Sequence, residues 1–167
     1  SLRNWDYEKR SGLGGSGAWA LLNGRDGVGS ELDLGVGWQD PAVIFETGLC
    51  VWRSGPAPSL YMKRDGAMLQ GRMALLWTGG EHDTPAAADK ARDFDLIEEA
   101  GRRAARAVEA NELEGLGEAV AVTYRMQRGE CIEALREAPG ALAPKYCGRG
   151  SGGDAVYLVG EPAARDA

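Results

Sequence analysis

The chain has 167 residues, 44% of them hydrophobic and 26% charged, with a net charge of −6. That length allows one good core or two small domains, and the acidic balance excludes a nucleic-acid footprint, which needs a basic face. The 25 glycines cluster in loops without a fixed period, which excludes collagen and solenoid repeats. Cys50, Cys131 and Cys147 are odd in number and far apart, which suits a reducing compartment and gives no disulfide framework. His82 is the only histidine, so no His–Cys zinc site is expected. No stretch approaches the ~20 apolar residues of a membrane span. The charged run holding Arg3, Asp6, Glu8, Lys9 and Arg10 has no apolar signal core, and a cytoplasmic protein is expected.

In chain order, Leu2 to Tyr7 reads as a short strand and Ser11 to Gly17 as a glycine loop. Ala18 to Leu22 reads as the start of a helix that Asn23-Gly24 ends. Arg25 to Gly37 is rich in Gly and Asp and reads as a loop, and Pro41 to Phe45 as a short helix or turn. Leu49 to Trp52 and Ser59 to Lys63 read as strands, Ser54-Gly55-Pro56-Ala57-Pro58 as a turn or short linker, and Met73 to Trp77 as a buried strand. Asp83-Thr84-Pro85 is a helix start, predicting a long helix to about Asn111 with Phe94, Ile97, Ala104 and Val108 on its apolar side. A second helix is predicted over Leu113 to Gln127, with Leu116, Val120 and Tyr124 in register, and a third over Cys131 to Ala138, stopped by Pro139-Gly140. Ala155 to Val159 reads as a strand. Strands and helices mix without a βαβ repeat, which predicts an α+β fold.

Three segments carry the chemistry. The first is Gly12-Leu13-Gly14-Gly15-Ser16-Gly17; a glycine loop opening a helix offers backbone N–H groups and a positive dipole end to a phosphate. It matches G-x-G-x-x-G in form, but the polar Asp6 to Arg10 before it does not suit the buried strand of a dinucleotide fold. It also has no Gly-Lys-Ser/Thr ending. Ser16 caps the helix or ligates Mg²⁺ on a bound triphosphate. The second segment is Gly37-Trp38-Gln39-Asp40. Asp40 suits a proton acceptor for an attacking hydroxyl, or an N-cap for a helix starting at Pro41; Trp38 suits a sugar floor or a core position. The third is Gly148-Arg149-Gly150-Ser151-Gly152-Gly153, read as preceding a strand, with Lys145, Tyr146 and Cys147 leading into it. Together the loops point to nucleotide-dependent phosphoryl transfer. An NAD(P)-linked oxidoreductase and a non-catalytic sugar- or nucleotide-binding sensor are the alternatives.

Taken in order, these segments resemble the GHMP kinase superfamily, and most closely its fucokinase and heptose-7-phosphate kinase branch. Ser11 to Ala18 is similar to that family's phosphate loop, and Gly37-Trp38-Gln39-Asp40 to its Gly-Gly-Trp-Gln-Asp-Gln motif, with Pro41 in place of the second Gln. Leu75-Leu76-Trp77-Thr78-Gly79 resembles its Leu-Leu-Tyr-Thr-Gly strand end, and Lys145 to Gly153 its C-terminal glycine motif, with Cys147 where Ser or Thr is usual and Arg149 where Ala is usual.

The resemblance implies an ATP- and Mg²⁺-dependent kinase that phosphorylates a hydroxyl of a sugar or sugar phosphate. Asp40 would be catalytic. Gly12, Leu13, Gly14, Gly15, Ser16 and Gly17 would hold phosphate together with Gly148, Gly150 and Gly152. Trp38, Gln39 and Gly153 would contact substrate, and Ser16 and Glu31 would ligate the metal. It also implies part of a ribosomal-S5-like domain over 1–70 and a ferredoxin-like domain over 71–167. Family members carry more sequence ahead of the phosphate loop. No nucleic-acid or membrane partner is implied.

Overall fold

The computed structural model describes residues 20–33, 38–79, 92–130, 132–148 and 153–166. The protein is α+β and divides into two compact units, Ser1–Asp65 and Gly66–Ala167. The strand expected at Leu2 to Tyr7, the first glycine loop and the helix start at Asp83-Thr84-Pro85 lie outside the described residues.

In the first unit, residues 20–22 end a helix. Gly24, at φ +63°, follows, and the Arg25 N–H returns to the Ala20 carbonyl at 2.8 Å. The segment expected to be a loop contains instead helix α1, Gly27–Asp33. Its start is fixed by Asp26, whose Oδ1 accepts the Gly29 N–H at 2.8 Å, an N-cap that outweighs the poor helix propensity of two glycines. Gly27 is needed there because a Cβ would stand 2.8 Å from that of Pro41. Helix α2 follows, Gln39–Glu46, burying Pro41 and Ala42. Strands β1 (Leu49–Arg53) and β2 (Ser59–Arg64) form an antiparallel hairpin with a register shift at Val51/Trp52. Lys63 ties the hairpin to the end of α2, donating to the Glu46 carbonyl and lying 3.2 Å from its carboxylate.

The second unit holds strand β3 (Met73–Trp77), helices α3 (Phe94–Ala110) and α4 (Leu113–Gly129), and strands β4 (Ala141–Tyr146) and β5 (Asp154–Val159). The strands make one antiparallel sheet of order β3-β5-β4, with Leu75 opposite Val156 and Lys145 opposite Val156 from the other side. Helix α3 starts later than Pro85: Asp93 caps it, its Oδ1 accepting the Leu96 N–H at 2.9 Å, and Asn111, in the left-handed region at φ +58°, ends it. Its outer face carries the pairs Glu98–Arg102 and Glu99–Arg103 one turn apart. Ala107, Val108, Ala119 and Val122 are buried between and beneath the two helices. Gly117 lets α4 approach β4, since a Cβ there would sit 3.0 Å from that of Leu142.

The third predicted helix is absent. Residues 132–138 have no regular structure, although their propensities favour a helix. Three tyrosine hydroxyls hold this backbone instead. Tyr124 accepts the Leu135 N–H at 2.7 Å, Tyr146 donates to the Glu133 carbonyl at 3.2 Å, and Tyr157 donates to the Arg136 carbonyl at 2.8 Å. Tertiary hydrogen bonds thus take the place of the helical ladder. Burial raises the pKa of both Tyr146 and Tyr157, so these hydroxyls keep their protons as donors.

Candidate functional site

The second glycine segment connects β4 to β5, so it follows a strand as well as preceding one. Strand β4, which begins just after Pro139-Gly140 and is not expected from the sequence, is what aims the segment. The Cys147 N–H donates to the Asp154 carbonyl at 2.8 Å and closes the neck of this β-hairpin. Beyond the neck, Gly148 has φ +58° and Gly153 φ +74°, conformations that suit glycine and strain other residues.

Both feet of the loop are pinned by side chains. On the β4 side stands Gln127 of α4, 1% exposed. Its Nε2 donates to the carbonyls of Tyr146 at 3.2 Å and Gly148 at 3.4 Å, and its Oε1 accepts the Tyr146 N–H at 3.1 Å. The amide acts as one further residue of sheet, completing the outer edge of β4. On the β5 side, Thr78 just after β3 donates twice to the Gly153 carbonyl, from its N–H at 3.0 Å and its Oγ1 at 2.6 Å. The Leu-Leu-Trp-Thr-Gly segment and the second glycine segment, far apart in sequence, therefore meet.

Beside Gly148 a cleft of about 130 Å³ opens between α3 and α4, lined by Arg92, Ile97, Val122, Met126, Gln127 and Gly148 among others. A Cβ placed on Gly148 would meet no described residue within 4 Å. Arg92 Nε lies 3.2 Å from Glu130 Oε1. Lys145, partly buried on β4, has its pKa lowered chiefly by burial; the positive charge of Arg92 adds to this, and Cys147 works against it. Among the described residues, Lys145 and Arg92 thus bring two cationic groups near one another, with Glu130 paired to Arg92.

In the first unit, the Trp-Gln-Asp triplet sits at the head of α2. The helix begins at Gln39 with Trp38 as its N-cap residue and no side-chain cap. Asp40 is therefore within the first turn and does not cap a helix starting at Pro41. Its carboxylate makes no hydrogen bond or ion pair with a described residue. Trp38 is 7% exposed and meets Trp52 edge-on, with ring centroids 5.5 Å apart, so it occupies a core position and does not offer an open ring face. Trp52 Nε1 is buried without a hydrogen-bond partner. Gln39 is exposed.

Glu31 lies in α1, with its side chain outside the description. Gly12, Leu13, Gly14, Gly15, Ser16, Gly17, Gly150 and Gly152 also lie outside the described residues. Sequence reasoning missed Gln127, although a signal existed: Leu116, Val120, Tyr124 and Gln127 fall on one helical stripe, and an amide ending an apolar stripe needs a buried partner. No described helix is long and apolar enough to cross a membrane. No family model, curated protein or solved structure matches this chain.

Proposed function

We propose that the chain is a cytoplasmic sugar kinase of the GHMP type, transferring the γ-phosphate of ATP to a hydroxyl of a sugar or sugar phosphate. The observation that carries this reading is the glycine hairpin between β4 and β5. It is held at one foot by Gln127 and at the other by Thr78, with no described residue over Gly148 and with Lys145 and Arg92 nearby. Pinned feet fix where a loop leaves and re-enters its sheet, a support on which preorganised donors for a transferring phosphoryl group can be built. The donor set fits a phosphate: backbone amides, Lys145 and Arg92.

On this reading Mg-ATP supplies the γ-phosphoryl group and a metal charge to offset its oxygens. Gly148, Gly150 and Gly152 donate backbone hydrogen bonds to phosphate, as do Gly12 to Gly17. The Asp40 carboxylate accepts the acceptor hydroxyl's proton. Gln39 and Gly153 contact the sugar, while Trp38 fixes the start of α2 from beneath. Ser16 and Glu31 are the proposed metal ligands. On the same reading, residues 1–70 are part of a ribosomal-S5-like domain and residues 71–167 a ferredoxin-like domain.

The test is transfer of labelled γ-phosphate to a panel of sugars and sugar phosphates, using the parent chain and Asp40→Asn. The expected result is turnover by the parent and a loss of about 10²- to 10⁴-fold in the variant, with Mg-ATP binding unchanged. Equal silence of both chains, with ligand binding retained, overturns catalysis in favour of a sensor.

A further inference from the structure

The two edges of the β3-β5-β4 sheet are finished differently. At the β4 edge, the residues whose backbone groups point away from β5 are Pro144 and Tyr146, since Cys147 points inward to Asp154. Pro144 has no N–H to offer, and Gln127 takes up both backbone groups of Tyr146. This edge is closed by two of the devices that keep sheets from pairing edge to edge.

The β3 edge has neither device. The Arg72 carbonyl accepts from Val159, and the Thr78 N–H donates to Gly153. The alternation of the ladder therefore turns the N–H and C=O groups of Met73, Leu75 and Trp77 outward. Those backbone groups form no hydrogen bond with a described residue. The strand is Met-Ala-Leu-Leu-Trp, without a charge, a proline or a glycine. On one face Met73 is 48% exposed, Leu75 68% and Trp77 58%, and on the other Leu76 is 43% exposed; the first three form an apolar stripe of the kind that marks an interaction surface.

We propose that β3 pairs antiparallel with β3 of a second copy of this chain, joining two three-stranded sheets into one of six strands. The strand is self-complementary about Leu75. A two-fold axis through Leu75 sets Leu75 against itself, Met73 against Trp77, Ala74 against Leu76, and Arg72 against Thr78. Every pair within the strand is then apolar, Met–Trp is a favourable sulfur–aromatic contact, and the flanking Arg72 meets a neutral residue in place of its own copy. An isologous contact of this kind closes at two chains and does not propagate. Five residues of edge cover less than the ~800 Å² per partner of a standard interface, so the dimer forms reversibly. With −6 on each chain, it tightens as salt screens the mutual repulsion.

Sedimentation of the full chain over a range of concentrations tests this, with Leu75→Lys, Leu75→Glu and their equimolar mixture alongside. The parent is expected to show a monomer–dimer equilibrium strengthened by salt. Each variant alone sets like charges opposite one another and weakens association by about tenfold or more. The mixture restores it as a heterodimer, a result that a misfolded variant does not give. In the parent, the amides of Met73, Leu75 and Trp77 gain hydrogen-exchange protection as concentration rises. A parent that stays monomeric, variants that dimerise as well as the parent, or a mixture that stays monomeric overturns the proposal.

Discussion

The two units hold their candidate residues by different physical means. In the first, Trp-Gln-Asp rests on aromatic packing: Trp38 is buried against Trp52 under a short helix that has no side-chain cap. In the second, the glycine hairpin rests on directional hydrogen bonds from Gln127 and Thr78, above a core that includes Ala155, Tyr157, Leu158 and Val159. Packing tolerates a small shift of a ring, whereas a buried amide with three partners tolerates almost none. On the proposed reading, a residue that has to follow an acceptor hydroxyl would sit on the first kind of support, and a phosphate cradle that must be preformed would need the second.

Removing the key support of each unit sharpens this contrast. Trp38→Ala deletes the largest buried side chain under α2 and is expected to cost about 3 kcal/mol. Residue-resolved hydrogen exchange should show protection lost across α2, β1 and β2, and loss that spares these elements would place the support elsewhere. Gln127→Leu keeps volume but strands the buried N–H and C=O of Tyr146, at a cost of about 2–3 kcal/mol. Denaturant titration reads the loss, and because the β4 foot of the loop is released, phosphate affinity should fall with it. A variant that loses stability but binds phosphate as before breaks the link between pinning and function.

Lys145→Met gives the smallest effect and the most specific one. Burial lowers the Lys145 pKa from its usual 10.5. The folded chain therefore releases this proton at a lower pH than the unfolded chain does. The cost of burying the charge is fully present below the folded pKa and is lifted as pH rises toward 10.5. Lys145→Met should thus be more stable than the parent near neutral pH, and the gap should narrow as pH rises through the alkaline range. Added inorganic phosphate should narrow it too, by stabilising the charged amine. A gap that does not change with pH would show that Lys145 is not buried as a cation.

The fold was legible where local chemistry and tertiary contacts agree. Strands β1, β2 and β5 and the span of α4 follow from strand-forming runs and helical spacing. Strand β3 was legible as a strand but its burial was not: expected to be buried, it is an exposed sheet edge, because no described element covers Met73, Leu75 and Trp77. The pairing of β1 with β2 was not legible, and neither was the fold as a whole wherever distant residues decide. It was illegible where long-range polar contacts override propensity. Nothing local distinguishes 132–138 from a helix; Tyr124, Tyr146 and Tyr157, arriving from α4, β4 and β5, bind its backbone groups instead. Likewise Asp26-Gly27 resembles a turn until Pro41 packs against Gly27 and Asp26 caps the helix. At the site, the glycines and Asp40 could be picked out by residue type. Gln127 could be picked out only as a polar break in an apolar stripe, and the meeting of Thr78 with Gly153 depends on the pairing of β3 with β5.

The central claim is that this chain binds and uses a nucleotide triphosphate, and calorimetric titration of Mg-ATP into the full chain tests it most directly, with NAD as the control. Saturable binding at one site per chain, dependent on Mg²⁺ and absent with NAD, is the predicted result. No heat with Mg-ATP, or equal binding of NAD without Mg²⁺, would contradict it.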